Sequence, residues 1–549
     1  MHLFTGSNGL SVGQPPVIDN TEPAKGYSWE TMGEVLEDAG VSWKVLMEAD
    51  NFDDNAFAWF TPFIKSKPGD ALYDKGMARV PDLIEALDAD MKAGTLPQVT
   101  WIVGPANVSE HATWWPSAGE DFTARILKVV QANPDVYAKT LFILNYDEGG
   151  QFFDHSFTPM PLLDKSNGVS TVDTTGEVST VGLPVGLGFR VPMLLISPWT
   201  RGHKVVSQIF DHTSVIQFLE KRFNVSCPNI SPFRRAVTGD LLSAFGDFSS
   251  YDVSWPDLPD TSNYVPTAAN ECKNMPAPKI PATQTYPVPE TGTRISKALP
   301  YTFLVTDAVA GGVLTVSLDN AGAAGAPFVF SNVPNMKTVA PRTWTIATGT
   351  AASDSLPIVG SSYFFSLTGP NGFVRTFSGA AGTAAGLRAW VTYDLTVSPA
   401  AVIVNLANDG ASAVAFNVSD NVYGVGGVTG SLAAGASKAL PFDMSSVGNW
   451  YDFTAALGSA GDFARRFMGR METGKDTISD PAMAAGLPGW ALDYARDAGL
   501  LSGPLTTKDL AAMAHPDLPE YFQNVPRAVD TQTSDKDSRY EFLIDAAAV

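Results

Sequence analysis

Residues 144–155 read Leu144-Asn145-Tyr146-Asp147-Glu148-Gly149-Gly150-Gln151-Phe152-Phe153-Asp154-His155. The apolar run from Thr140 to Leu144 predicts a short buried strand, and it ends in two adjacent carboxylates, a glycine pair and an Asp-His pair. In open α/β sheets, ligands collect beyond the carboxyl ends of the strands. A strand that ends in this way hands acidic side chains to a site.

Similar units surround it. From residue 28 to about 245, helical and strand patterns alternate, which predicts an α/β layer architecture with a largely parallel sheet. Ser28 is read as the cap of a helix through Trp29, Met32, Val35 and Leu36 to Gly40, followed by a strand from Val41 to Met47. Gln98 to Val103 predicts the next strand, and Gly119 to Asn133 a helix ended by Pro134. Val191 to Ile196 predicts a further strand, before a helix carrying Val215, Phe218, Leu219 and Phe223.

The texture then changes. Pro256, Pro259, Pro266, Pro276, Pro278, Pro281, Pro287 and Pro289 predict an extended, semi-rigid linker over 256–290. Short alternating runs rich in Gly, Ala, Val and Thr follow and predict β-sandwich-like modules. Two related units are visible: Leu318-Asp-Asn-Ala-Gly with Phe328 matches Leu406-Ala-Asn-Asp-Gly with Phe416, 88 residues on. Phe373, Arg375, Phe377 and Gly379 recur 90 residues on as Phe463, Arg465, Phe467 and Gly469. The expected organisation is therefore a catalytic unit at 1–255, the linker, β domains at 291–398 and 399–475, and a segment 476–549 of no assigned role with a helical patch from Trp490 to Leu501.

At 549 residues, with 45% hydrophobic and 17% charged, the chain is globular and long enough for several cores. A net charge of -21 argues against a nucleic-acid binder, which needs clustered Lys and Arg to displace counterions. No apolar run reaches the length of a membrane span, and the first residues lack the pattern of a secretory signal. Cys227 and Cys272 leave one disulfide and two free thiols equally open.

Three of the six histidines follow an acidic residue: Glu110-His111, Asp154-His155 and Asp211-His212. Hard carboxylates with imidazoles suit a divalent cation that polarises a phosphoryl oxygen. Blander readings stand beside this one. Adjacent carboxylates also form solvated turns, Asp211 can cap a helix starting near Thr213, and His111 alone can be an ordinary polar residue. His2, His203 and His515 have no acidic neighbour and are read as surface residues. Gly9-Leu10-Ser11-Val12-Gly13 matches the nucleophile elbow of serine hydrolases, but that elbow needs a strand before it and a helix after it. Here Gln14-Pro15-Pro16 follows, so Ser11 is not read as a nucleophile.

Taken together, Asp50-Asn-Phe-Asp-Asp-Asn, Ser109-Glu-His, Pro116-Ser-Ala-Gly-Glu-Asp, Tyr146 through His155, Gly188-Phe-Arg-Val-Pro, Ile196-Ser-Pro-Trp and Phe210-Asp-His-Thr-Ser resemble the bacterial phosphocholine-type phospholipase C family. Plant non-specific phospholipases C and a group of acid phosphatases are its relatives. The resemblance spans residues 1 to about 475 and includes the twin β units.

The resemblance implies an alkaline-phosphatase-like, three-layer α/β catalytic domain followed by two small all-β domains. It implies cleavage on the glycerol side of the phosphodiester of phosphatidylcholine or a related phospholipid, at a membrane or micelle surface, by a protein exported from the cell. Asp147 and Glu148 would bind one divalent metal ion, His111 would face the phosphoryl group, and His155 and His212 would line or support the site. Glu110, Asp154 and Asp211 would stand behind them, the two aspartates orienting imidazoles. Members of the family also carry an early Glu-Asn-Arg-Ser-Phe-Asp motif and a Thr-x-Pro-Asn-Arg motif with the proposed nucleophile; neither occurs here. The expectation is an N-terminally incomplete catalytic domain, without its first strand, nucleophile and half of the metal shell, that is inactive alone. A phosphomonoesterase like the acid phosphatases and a non-catalytic lipid- or surface-binding protein are the alternatives.

Overall fold

Thr31 rather than Ser28 opens the first helix of the α/β region, Met32–Asp38, in a reciprocal capping box with Glu34. In the segment before it Trp29 is buried and its indole donates to Thr5 Oγ1 at 3.1 Å. The computed structural model describes residues 1–483 except 20–22, 150–153, 155, 246, 247, 249, 250, 278, 280–291, 334–338, 383–385 and 460. The expected helical patch from Trp490 to Leu501 lies outside the described residues.

β1 (Trp43–Met47) and β2 (Val99–Val103) are parallel, with Val45 opposite Trp101. Next come β3 (Phe142–Asn145), β4 (Gly168–Ser170) and β5 (Met193–Ile196), and β5 pairs antiparallel with β3, Leu144 opposite Leu194. Among the described residues the expected largely parallel sheet is thus corrected to one parallel and one antiparallel pair. A parallel return needs a crossover, usually a helix. Among its described residues the chain between β3 and β5 has β4 and the short 3₁₀ turns Lys165–Asn167 and Thr175–Glu177, and no α-helix. Residues of β2 and β3 line a cavity of about 2520 Å³.

Helices cover these strands on both sides. Leu46, Leu83, Leu87, Met91, Ile126 and Val130 form one core, from the helices Leu83–Ala93 and Pro116–Ala132. Phe4, Met32, Trp43, Phe57, Trp101, Ile216 and Leu219 form the other. Each fully buried aliphatic or aromatic side chain contributes about 1.5–3 kcal/mol by leaving water. Both cysteines are free, Cys227 buried and Cys272 exposed.

The proline-rich stretch is not extended throughout. It contains the helix Tyr264–Asn274, with Pro266 in the first turn, where a missing N–H costs little. Just before it, Thr261 Oγ1 donates to Asp121 Oδ1 at 2.6 Å and docks the segment on the helix Pro116–Ala132.

Beyond β6 (Ile295–Ser296) lie two units of the same plan. The first comprises β7 (Phe303–Ala310), β8 (Val313–Asn320), β9 (Ala326–Asn332), β10 (Arg342–Ile346), β11 (Ala351–Pro357), β12 (Ser362–Thr368) and β13 (Val374–Ala380). The second comprises β14 (Leu387–Asp394), β15 (Ala401–Asn408), β16 (Val414–Asp420), β17 (Val428–Leu432), β18 (Ala436–Asp443), β19 (Trp450–Leu457) and β20 (Phe463–Arg470). β21 (Thr477–Ile478) closes on β6. Two three-stranded sheets, β11-β8-β7 and β14-β15-β18, accompany one nine-stranded sheet, β17-β16-β19-β20-β13-β12-β9-β10-β4, which fuses the units through β13 and β20.

The sequence repeat is a structural repeat. Asn320 Nδ2 donates to the carbonyls of Ala324, Ile346 and Ala347, and Asn408 Nδ2 does the same to Ser412, Leu432 and Ala433. β4 carries the α/β region onto the end of this sheet. There Gly168 has φ 142°, and a Cβ would fall 1.9 Å from the Thr343 carbonyl oxygen, so only glycine fits.

Candidate active site

The loops leaving β1, β2 and β3 line one cavity together. They bring Asp53 and Asp54, then Glu110 and His111, then Tyr146, Asp147 and Glu148 to its wall. Met1 and His2 of the N-terminal turn join them, as does His212, the first residue of the helix His212–Phe223.

Each loop is shaped locally. After β1, Asp53 N–H donates to Asn51 Oδ1 at 3.0 Å, and Phe52 and Asp53 take positive φ, which sets the Phe52 ring 5.3 Å from that of His111. After β2, Glu110 has φ 63° and accepts from the Tyr146 hydroxyl at 3.1 Å. Gly119, in the facing helix, makes room for it: a Cβ there would lie 2.2 Å from Glu110 Oε1. His111 N–H donates to Ser109 Oγ at 3.2 Å, and its Nδ1 lies 3.3 Å from Thr113 Oγ1. His212 Nε2 is 2.9 Å from the carbonyl oxygen of Tyr146. A carbonyl only accepts, so Nε2 carries a proton and donates it to this bond.

The charges are crowded. Burial, then the charges of Asp147, Glu148 and Asp53, push the Asp54 carboxyl up to about 7. His2 falls well below the usual histidine range through burial first and the Arg234 charge second. Burial raises Glu110, offset in part by the Tyr146 hydroxyl, and Tyr146 is pushed up to about 12 by burial and by Glu110.

The residues expected from sequence fare differently. His111, His212, Asp147, Glu148 and Glu110 share the cavity wall, with Asp147 and Glu148 exposed to solvent. His155 lies outside the described residues. The Asp154 carboxylate is forked by Arg190, Nη2 at 2.7 Å and Nε at 2.9 Å, and that pairing holds it well below the usual carboxylate range. Asp211, expected to orient an imidazole, instead caps its helix through Thr213 N–H at 2.9 Å and accepts from Arg234 Nη1 at 2.5 Å. Arg234 is buried and also bonded to Glu177, so the buried guanidinium claims the carboxylate.

His2 corrects the reading as a surface residue: it is half-buried on the cavity wall. Nothing beside it in sequence marks it. Asp54 lies within the Asp50 to Asn55 stretch, and the charges of Asp147 and Glu148 act on it. Ser11 sits in a 3₁₀ turn, its hydroxyl donating to the Asn229 carbonyl oxygen at 2.5 Å, outside any base pairing among the described residues.

Whether these residues suit a cation can be read from the carboxylates. Asp54 is held protonated to near neutrality partly by its acidic neighbours, a repulsion that a divalent ion would relieve, and oxygen donors suit hard cations. Among the described residues, no three His, Cys, Asp or Glu side chains converge tightly enough to enclose an ion. The donor chemistry fits, and the set is partial.

Residues 1–226 match the Phosphoesterase family, and residues 295–380 and 388–470 each match the bacterial phospholipase C, C-terminal domain. The chain is 38% identical to a non-hemolytic phospholipase C of Burkholderia pseudomallei, over 88% of this chain and 73% of that one. It is 38% identical to a non-hemolytic phospholipase C of Pseudomonas aeruginosa over the same shares, and 35% identical to a hemolytic phospholipase C of that organism over 85% and 71%. With the acidic loops of its α/β region and its twin β modules matched in order, the chain belongs to the phosphoesterase family, in the group that carries bacterial phospholipase C C-terminal domains.

Proposed function

We propose that this chain is a phospholipase C-type phosphodiester hydrolase. It cleaves phosphatidylcholine or a related phospholipid on the glycerol side, giving diacylglycerol and a phosphorylated headgroup. The observation that carries this reading is the shared cavity wall of Asp54, Asp147, Glu148, His111 and His212 in a chain of this family. The matching fold reading is alkaline-phosphatase-like, supported by the parallel β1–β2 pair with helices on both sides. Export from the cell goes with it.

In this mechanism Asp147 and Glu148 would hold one divalent cation, with Asp54 nearby, and that ion would offset charge on the phosphoryl group. His111 faces that group, with Nδ1 steadied by Thr113. His212 is held by the Tyr146 carbonyl with Nδ1 available to move a proton. Glu110, anchored by Tyr146, sets the His111 loop.

The test is release of phosphocholine and diacylglycerol from phosphatidylcholine micelles, with divalent cations and with chelator. Equal amounts of the two products, lost with chelator, support the reading and overturn the expectation that the chain is inactive alone. Phosphatidic acid as product would overturn it. Preference for a phosphomonoester would move it to the acid-phosphatase alternative, and vesicle binding without hydrolysis to the non-catalytic one.

A further inference from the structure

We infer that the rim formed by Phe52, Trp114 and Trp115 docks this chain on a zwitterionic phospholipid surface and brings His111 against the headgroup layer. The inference rests on the lipid-hydrolase reading above and deepens it. Trp114 is 41% exposed, Trp115 38% and Phe52 37%. All three are tied to His111: Trp114 N–H donates to the His111 carbonyl oxygen at 2.7 Å, Trp115 follows it, and the Phe52 ring lies against the imidazole. The cavity lining includes Ala112 and Pro116 but not the two tryptophans between them, which are exposed instead. Pro116 then opens the helix Pro116–Ala132, a rigid base for the pair.

Scattered exposed apolar residues are ordinary, but large aromatics gathered within one turn of a site imidazole are not. Indole rings are best placed where one side is apolar and the other wet, which is the interface of a bilayer. Charge selects the kind of surface. The chain carries -21 overall, and Asp53, Asp54, Glu110, Asp147 and Glu148 lie beside this rim, so an anionic surface is repelled. Attraction must come from aromatic burial, which a zwitterionic surface permits.

Sedimentation with sucrose-loaded vesicles tests this, with chelator present so that binding is read without turnover. The expected result is binding to phosphatidylcholine vesicles that is insensitive to added salt and weaker on equal parts phosphatidylcholine and phosphatidylglycerol. The Trp114→Ala/Trp115→Ala variant should partition about tenfold less, while Trp114→Tyr/Trp115→Tyr retains most binding and guards against misfolding, checked by circular dichroism. Val359→Ser, an 81% exposed apolar position on the β module, should bind as the parent does. Absence of binding by the folded parent, stronger binding to the anionic vesicles, or equal loss in Val359→Ser would overturn the inference. So would concentration-dependent self-association abolished by the alanine pair, which would make the rim a contact between copies. Hydrolysis of a soluble short-chain phosphatidylcholine without vesicle binding would defeat the docking and spare the activity; binding without hydrolysis would do the reverse.

Discussion

His212 Nε2 lies 2.9 Å from the carbonyl oxygen of Tyr146, tying the start of the helix His212–Phe223 to the residue before Asp147. One hydrogen bond thereby sets both a proton on Nε2 of an imidazole and the position of an acidic loop. Glutamine can keep a donor near Nε2 but has no basic nitrogen. His212→Gln and His212→Ala should both lose about 10²–10⁴-fold in phosphodiester turnover. His212→Ala should also lose about 1 kcal/mol of stability by urea unfolding, and the glutamine variant little. Equal turnover in His212→Gln and the parent would remove His212 from proton transfer.

Gly119 sits within a helix, where alanine is intrinsically favoured by about 1 kcal/mol. Its Cβ would meet the Glu110 side chain at 2.2–2.6 Å, so Gly119→Ala should be destabilising and should disturb the His111 loop. In a Glu110→Gly background, where the obstacle is gone and φ 63° suits glycine, the same change should stabilise by about 1 kcal/mol. Denaturant midpoints of the four proteins give the sign directly.

Asp54 predicts a pH dependence. Its folded pKa of about 7 lies above the ordinary 3.8, so its contribution is fully present below pH 3.8 and is lost as pH rises through 7. Asp54→Asn should match the parent near pH 4 and exceed it at pH 8, by roughly 1 kcal/mol once solvent screening is discounted. A divalent cation should narrow that gap by stabilising the carboxylate in the parent. Thermal melts at the two pH values, with and without metal, decide both points.

Arg375 and Arg465 answer each other across the fused β units. Arg375 Nη2 donates to the Tyr451 hydroxyl at 2.8 Å, and Arg465 Nη2 to the Tyr363 hydroxyl at 3.1 Å. Each guanidinium also lies 4.0 Å from a phenylalanine centroid, Phe373 and Phe463. Only Arg465 has a carboxylate among the described residues, Asp307, with Nη2 to Oδ2 at 2.6 Å. Arg465→Ala leaves that charge buried and should cost about 3–5 kcal/mol, whereas Arg375→Ala should cost less. Equal losses in urea unfolding would show that Asp307 does not set the difference.

What was legible in the chain was local. The run from Thr140 to Leu144 followed by Asp147 and Glu148 marks a strand with acidic residues at its end because a continuous apolar run gives way to carboxylates within a few residues, although the strand is half-buried rather than buried. The 88- and 90-residue repeats were readable because each unit builds the same bonds, as Asn320 and Asn408 do. Pairing direction was not readable: β3 takes β5 antiparallel because of the path of a long intervening segment. Nor was the helix at Tyr264–Asn274, since proline is costly inside a helix and cheap in its first turn.

The same division holds at the site. Sequence alone determined which carboxylates and imidazoles stand at strand ends and to which family their order belongs. Tertiary structure decided that His2 joins them, that Asp211 serves Arg234, and that Asp54 is pressed by Asp147 and Glu148. Those outcomes depend on burial and on charges brought together from distant parts of the chain, and neither is a property of any local stretch.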